Sequence, residues 1–152
     1  MVKTIFKEEN PLYDRKMIDV DIESIAHEVR RELGLGHKEC VYRNAFCIAL
    51  REKGIPFDCE RAVSVFFHGQ CCGMVQPDVI VNNEIVLEFK AVKSKLNGDN
   101  VIQLQRYLDL LNIDVGYLVN FWGTPNAEVQ CVPLTGSTEV VTTPDSSDRE
   151  TV

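Results

Sequence analysis

No stretch of this 152-residue chain approaches the roughly 20 consecutive apolar residues that a membrane-spanning helix needs. The opening segment, Met1-Val-Lys-Thr-Ile-Phe-Lys-Glu-Glu-Asn, lacks the long apolar region of a secretory leader. Positive charge is in short supply. Sixteen Lys and Arg against 23 Asp and Glu leave a net charge of −7. That balance excludes a protein that coats nucleic acid by bulk attraction. There is no CxxC pair and no internal repeat. His68 with Cys71 and Cys72 lacks the second ligand pair of a zinc site. Cys40, Cys47, Cys59, Cys71, Cys72 and Cys131 therefore read as reduced thiols of an intracellular protein, cytoplasmic or nuclear and not secreted.

What is present suits one globular domain. The chain is 45% hydrophobic, ample for a single core at this length. Residues 1–17 have no clear period and read as an arm. Residues 18–134 carry the periodic segments. Residues 135–152 are rich in Ser, Thr, Pro and acid, have a net charge of −3, and read as a disordered tail.

A helix is expected from a cap at Asp19 or Asp21 to about Leu33, because Ile22, Ile25, Ala26, Val29 and Leu33 keep the helical period. Gly34 and Gly36 end it and would allow the loop close to the sheet. A second helix spans about Lys38 to Lys53, and Gly54-Ile55-Pro56 stops it. Strands are expected at Ala62–Phe67 and Cys71–Val75 around a His68-Gly69-Gln70 turn. A helix capped by Asp99 or Asn100 runs to Leu111. Apolar strands follow at Val115–Phe121 and Glu128–Val132. The order predicts an α/β fold, with one central mixed β-sheet flanked by helices.

The most informative stretch is Gln76-Pro77-Asp78 through Glu88-Phe89-Lys90. It reads as a hairpin of apolar strands interrupted by three charges. Residues i and i+2 share a strand face, so Glu88 and Lys90 lie with Val86. A two-residue Asn82-Asn83 loop would put Asp78 opposite Leu87, on the wrong side. A three-residue loop, Asn82-Asn83-Glu84, puts Val81 across from Ile85 and Asp78 across from Glu88. Asn tolerates the left-handed backbone that such loops need, so the three-residue form is expected. Isolated buried charges are costly. Two converging carboxylates beside a lysine can hold a hard divalent cation and set water against a phosphodiester. Lys90, Lys93, Lys95, His37, Lys38 and Arg43 form a local basic rim, or simply a solvated face of mixed charge.

Pro77-Asp78 followed by Glu88-Phe89-Lys90 resembles the divided signature of the PD-(D/E)XK nuclease superfamily. Gly36-His37-Lys38-Glu39-Cys40-Val41-Tyr42 resembles the Gly-x-x-Glu-x-x-Tyr element of its GxxExxY branch. Gln103-Leu104-Gln105-Arg106-Tyr107 is similar to the Gln-x-x-x-Tyr element of RecB-like and phage-exonuclease-like members. Gly54–Phe57 and Gly116–Phe121 are also similar. The resemblance spans about Ile22 to Gly123 and implies a restriction-endonuclease-like core, α-β-β-β-α-β.

The resemblance implies that Asp78 and Glu88, with Glu39 directly or through water, bind Mg2+ or Mn2+. Lys90 would orient the attacking water or offset charge on the phosphate. Gln103 would hold the lysine, a water or a phosphate. Lys38, Tyr42, Lys93 and Tyr107 would line the nucleic-acid side, Tyr42 packing as well and Tyr107 stacking or packing. The implied activity is metal-dependent hydrolysis of DNA rather than RNA. The alternative is a catalytically silent module of the same fold that binds nucleic acid or a protein. A homodimer would place two sites for cutting both strands. Two departures from the family pattern stand out. His37 and Lys38 occupy places usually hydrophobic, and Val75-Gln76 supplies no base before Pro77-Asp78.

Overall fold

The computed structural model describes residues 19–134. The arm expected at 1–17, the first residue of the expected domain at 18, and the tail from 135 lie outside them. Helix α1 (Ile22–Leu33) is capped by Asp21, whose side chain accepts from the Ser24 N–H at 3.0 Å. Arg30 and Arg31 in its last turn complement the helix dipole. Helix α2 (Glu39–Glu52) follows the glycine loop. Gly34 and Gly36 take φ of 71° and 97°, and a Cβ at either would meet nothing within 4 Å. They serve the positive φ of the loop, not a close approach to the sheet.

Strands β1 (Phe57–Cys59), β4 (Val79–Val81), β5 (Ile85–Lys90), β6 (Val115–Asn120) and β7 (Glu128–Pro133) form a mixed five-stranded sheet in that order. Only β5 and β6 pair in parallel, and helix α3 (Gly98–Leu111) makes the crossover between them. Strand β1 is absent from the sequence expectation. It is three residues long, polar at Asp58, and follows a proline that reads as a stop. Its partner is β4, with Phe57 opposite Val81.

Strands β2 (Val63–Phe67) and β3 (Gln70–Val75) stand apart as a two-stranded hairpin. They are not part of the one sheet expected from strand order. Neither has a side-chain row buried enough for the central layer. Their turn is the two-residue His68-Gly69, both at positive φ, so β3 begins at Gln70.

Alternation across the central strands builds two cores. Val79, Val81, Leu87, Phe89, Val119 and Phe121 face α1 and α2, where Ile25, Phe46 and Leu50 meet them. Ile80, Val86, Leu118 and Val132 face α3 through Leu104, Tyr107 and Leu108. The sheet is thus covered on both sides, which explains why β4 is apolar at every position. Each fully buried Leu or Phe contributes about 2 kcal/mol by area. Packing of α3 is tightest at Gly116, where a Cβ would lie 2.9 Å from both Leu104 Cδ1 and the Val86 carbonyl oxygen.

Helix α3 starts earlier than expected. Its cap is Asn97, not Asp99 or Asn100, because Asn97 and Asn100 form a reciprocal capping box.

Candidate active site

The β4–β5 hairpin has the three-residue loop Asn82-Asn83-Glu84. Val81 faces Ile85 and Val79 faces Leu87. Asn82 and Asn83 take φ of 50° and 54°, and the Glu84 N–H donates to the Val81 carbonyl at 2.9 Å. The register carries Asp78 to the position across from Glu88. Here side chains replace the backbone ladder. The Asp78 N–H donates to Glu88 Oε1 at 2.9 Å, and the Phe89 N–H donates to Asp78 Oδ2 at 2.7 Å. Each carboxylate is therefore gripped by the opposite strand, and its second oxygen takes no hydrogen bond from the described residues. The Asp78 carbonyl accepts from the Glu60 N–H at 2.9 Å, tying the residue to the end of β1 as well.

Electrostatics draw Glu39 into the same group. It is the first residue of α2 and only partly exposed. Burial raises its carboxyl above the usual range, the Asp78 charge raises it further, and Lys90 and Arg43 oppose this. Burial also raises Asp78, against the Phe89 hydrogen bond, Arg43 and Lys90. Glu88 is only 6% exposed, and its carboxyl is pushed up to about 8, by burial first and the Asp78 charge second. Three acids thus raise or sense one another, with Lys90 the cation common to all three. Such a group favours an added cation.

Helix α3 completes one wall. Gln103 Nε2 donates to the Tyr107 hydroxyl at 3.0 Å, one turn along the helix. Burial and the Glu88 charge raise the Tyr107 hydroxyl, which places it beside the acids. Tyr107 is 7% exposed, so it packs rather than presenting a face for stacking. Lys38 and Lys93 are exposed. Tyr42 has no exposed surface. It stacks on Phe121 at 4.7 Å, its hydroxyl donates to the Gly34 carbonyl at 2.6 Å, and it accepts from the His37 N–H at 3.3 Å. The expectation that Tyr42 touches nucleic acid is corrected: it locks the α1–α2 loop, and that loop positions Glu39.

Two neighbours, Asn120 and Trp122, were not singled out from sequence, and Arg43 was read there only as part of the basic rim. Arg43, one turn after Glu39, pairs with Glu60 at 2.9 Å and acts on Asp78 and Glu39. Its i, i+4 spacing from Glu39 puts the two on one face of α2. Asn120 sits opposite Lys90 in the parallel pair and is 2% exposed. Trp122 follows it by two residues.

The donor set suits a hard divalent ion: carboxylate oxygens, two of them on one rigid hairpin. Among the described residues, no three His, Cys, Asp or Glu side chains are placed to enclose one. Mg2+ ordinarily binds through one or two carboxylates and keeps its waters, so the residues fit such an ion without a closed protein cage. No helix of the described residues is long and apolar enough to cross a membrane.

A family model described as the PD-(D/E)XK nuclease superfamily matches residues 16–132. No curated protein and no solved structure matches the chain.

Proposed function

The chain belongs to the PD-(D/E)XK nuclease superfamily, and from that premise we propose that it hydrolyses phosphodiester bonds of DNA with the aid of Mg2+ or Mn2+. The observation that carries the proposal is the interlocked pair of Asp78 and Glu88, each fixed by the other strand's N–H with one oxygen left over. Those two residues would hold the ion, and Glu39 would add an oxygen directly or through water. When bound, the ion supplies charge neutralisation at the phosphate and a more acidic water. Lys90, two residues after Glu88 on the same strand face, orients the attacking water and offsets charge that builds on the phosphate. Gln103, held by Tyr107, offers a polar group from α3. Lys38 and Lys93 reach for the backbone of the strand. One site per chain makes a homodimer the natural way to cut both strands.

The test is cleavage of labelled linear, nicked, single-stranded and branched DNA in Mg2+ and in Mn2+. Asp78→Ala and Glu88→Ala should abolish cutting. Variants that cut as fast as wild type in Mn2+ would remove the proposal. The net charge of −7 favours a second reading, a silent binding module of the same fold. Stabilisation of the wild type by Mn2+ with no cutting of any substrate would support that reading.

A further inference from the structure

We infer that Trp122 and Lys93 form a platform that takes a base of single-stranded or frayed DNA at this site; the inference rests on the nuclease reading above. Trp122 is the only tryptophan in the chain. It belongs to neither apolar core, although its neighbour Phe121 is fully buried. The ring is partly buried and partly exposed, which leaves some of it open to a ligand. Strands β5 and β6 run in parallel with Lys90 opposite Asn120, so Trp122 leaves the sheet at the same end as the acids. The Phe121 N–H donates to the Lys90 carbonyl at 2.9 Å, which ties this exit directly to the end of β5.

The platform is held by one buried amide. Asn120 Oδ1 accepts from the Val92 N–H at 3.1 Å and the Trp122 N–H at 3.2 Å. Its Nδ2 donates to the carbonyls of Val92 at 2.9 Å and Ser94 at 3.2 Å. Asn120 therefore clamps the residues on either side of Lys93 to the backbone of Trp122. Lys93 is exposed, and its Nζ lies 5.5 Å from the centre of the Trp122 ring. The cation thus lies over the ring, so a base would stack on the part that Lys93 leaves open and its phosphate would meet the ammonium.

Charge decides which form of DNA fits. Affinity for duplex comes largely from many phosphate contacts, each made by a cation. This chain carries a net −7, and three carboxylates, Glu39, Asp78 and Glu88, stand together at the site. Stacking adds affinity beyond the phosphate contacts, and it needs a free base face. In a duplex those faces are covered by neighbouring base pairs. A single strand or a frayed end exposes them.

Because Trp122 is the sole tryptophan, its emission reports this platform alone. The experiment titrates the full chain with a short labelled single strand and with the blunt duplex of the same sequence. It is run in Mn2+ and, to keep the strand intact, in EDTA. Emission gives the Trp122 response, anisotropy gives binding, and product gives KM and kcat. Single-strand binding should quench Trp122 and be at least about 10-fold tighter than duplex binding. Trp122→Ala should raise the single-strand KM, or Kd where nothing is cut, by about 10-fold, with kcat little changed. Trp122→Phe should keep most of the affinity. Bound single strand without a change in emission overturns the inference, and so does equal or tighter binding of blunt duplex. A Trp122→Ala variant that binds as the wild type does, or no DNA binding at all, overturns it too. Quenching without cleavage removes the nuclease reading and leaves the platform. Duplex cleavage with Trp122 silent does the reverse.

Discussion

Glu88→Gln should make the protein more stable at pH 8 and remove its function. The Glu88 carboxyl titrates at an ordinary 4.5 when unfolded and near 8 when folded. Between those values the unfolded chain releases the proton while the native site keeps it, so ionisation favours unfolding. The stability that Glu88 contributes is fully present below pH 4.5 and is lost as pH rises through 8. The rise is worth on the order of 5 kcal/mol at its limit. Glutamine keeps the acceptor for the Asp78 N–H and carries no titrating proton. The stability difference between variant and wild type should therefore widen by about 3 kcal/mol from pH 5 to pH 8. For a domain of this size that is a Tm gap of about 10 °C. The assay is thermal unfolding of both proteins across that range in metal-free buffer, followed by Mn2+. Added Mn2+ should close the gap by stabilising only the wild type, as a ligand of the native state does. A difference that stays flat with pH, or a variant less stable at pH 8, would refute the reasoning.

Three further outcomes follow from single contacts. Lys90→Met should lower kcat on DNA by about 100-fold or more. It should also move the pH profile upward, since Lys90 is the cation that lowers Glu39, Asp78 and Glu88 together; a profile identical to wild type would contradict this. Gly116→Ala places a Cβ 2.9 Å from the Val86 carbonyl oxygen and Leu104, and should cost about 1–3 kcal/mol in urea unfolding with metal response retained. Tyr42→Phe removes the hydroxyl that bonds Gly34 and His37, and should cost about 1 kcal/mol while slowing cleavage only through Glu39. A variant with full stability and no cleavage would instead give the hydroxyl a direct chemical role.

The hairpin was legible because its information is local. Apolar alternation and two asparagines able to take positive φ decide the loop length, and loop length decides which acids face each other. The helical periods are equally local, and local signals narrowed the α1 cap to Asp19 or Asp21, of which the structure uses Asp21. The three-layer arrangement was legible in outline, since strands apolar at every position need cover on both faces. The start of α3 was misplaced because Asp99, Asn100 and Asn97 are all competent caps, and only the reciprocal bonding of Asn97 and Asn100 chooses between them.

Chain order alone does not say which strands share a sheet. β1 is short and polar, yet it pairs with β4; β2 and β3 read more strongly as strands and stay outside. The reason is that a place in the central layer goes to segments buried on both faces, and that is set by helices distant in sequence. The same holds for the site. The types and spacing of Asp78, Glu88 and Lys90 follow from sequence, because a strand repeats every two residues. The raised carboxyl of Glu88, the burial of Tyr42 against Phe121 and the grip of Asn120 on Trp122 follow only from tertiary structure. Desolvation and long-range hydrogen bonds depend on what the rest of the fold brings alongside, and no local period encodes that.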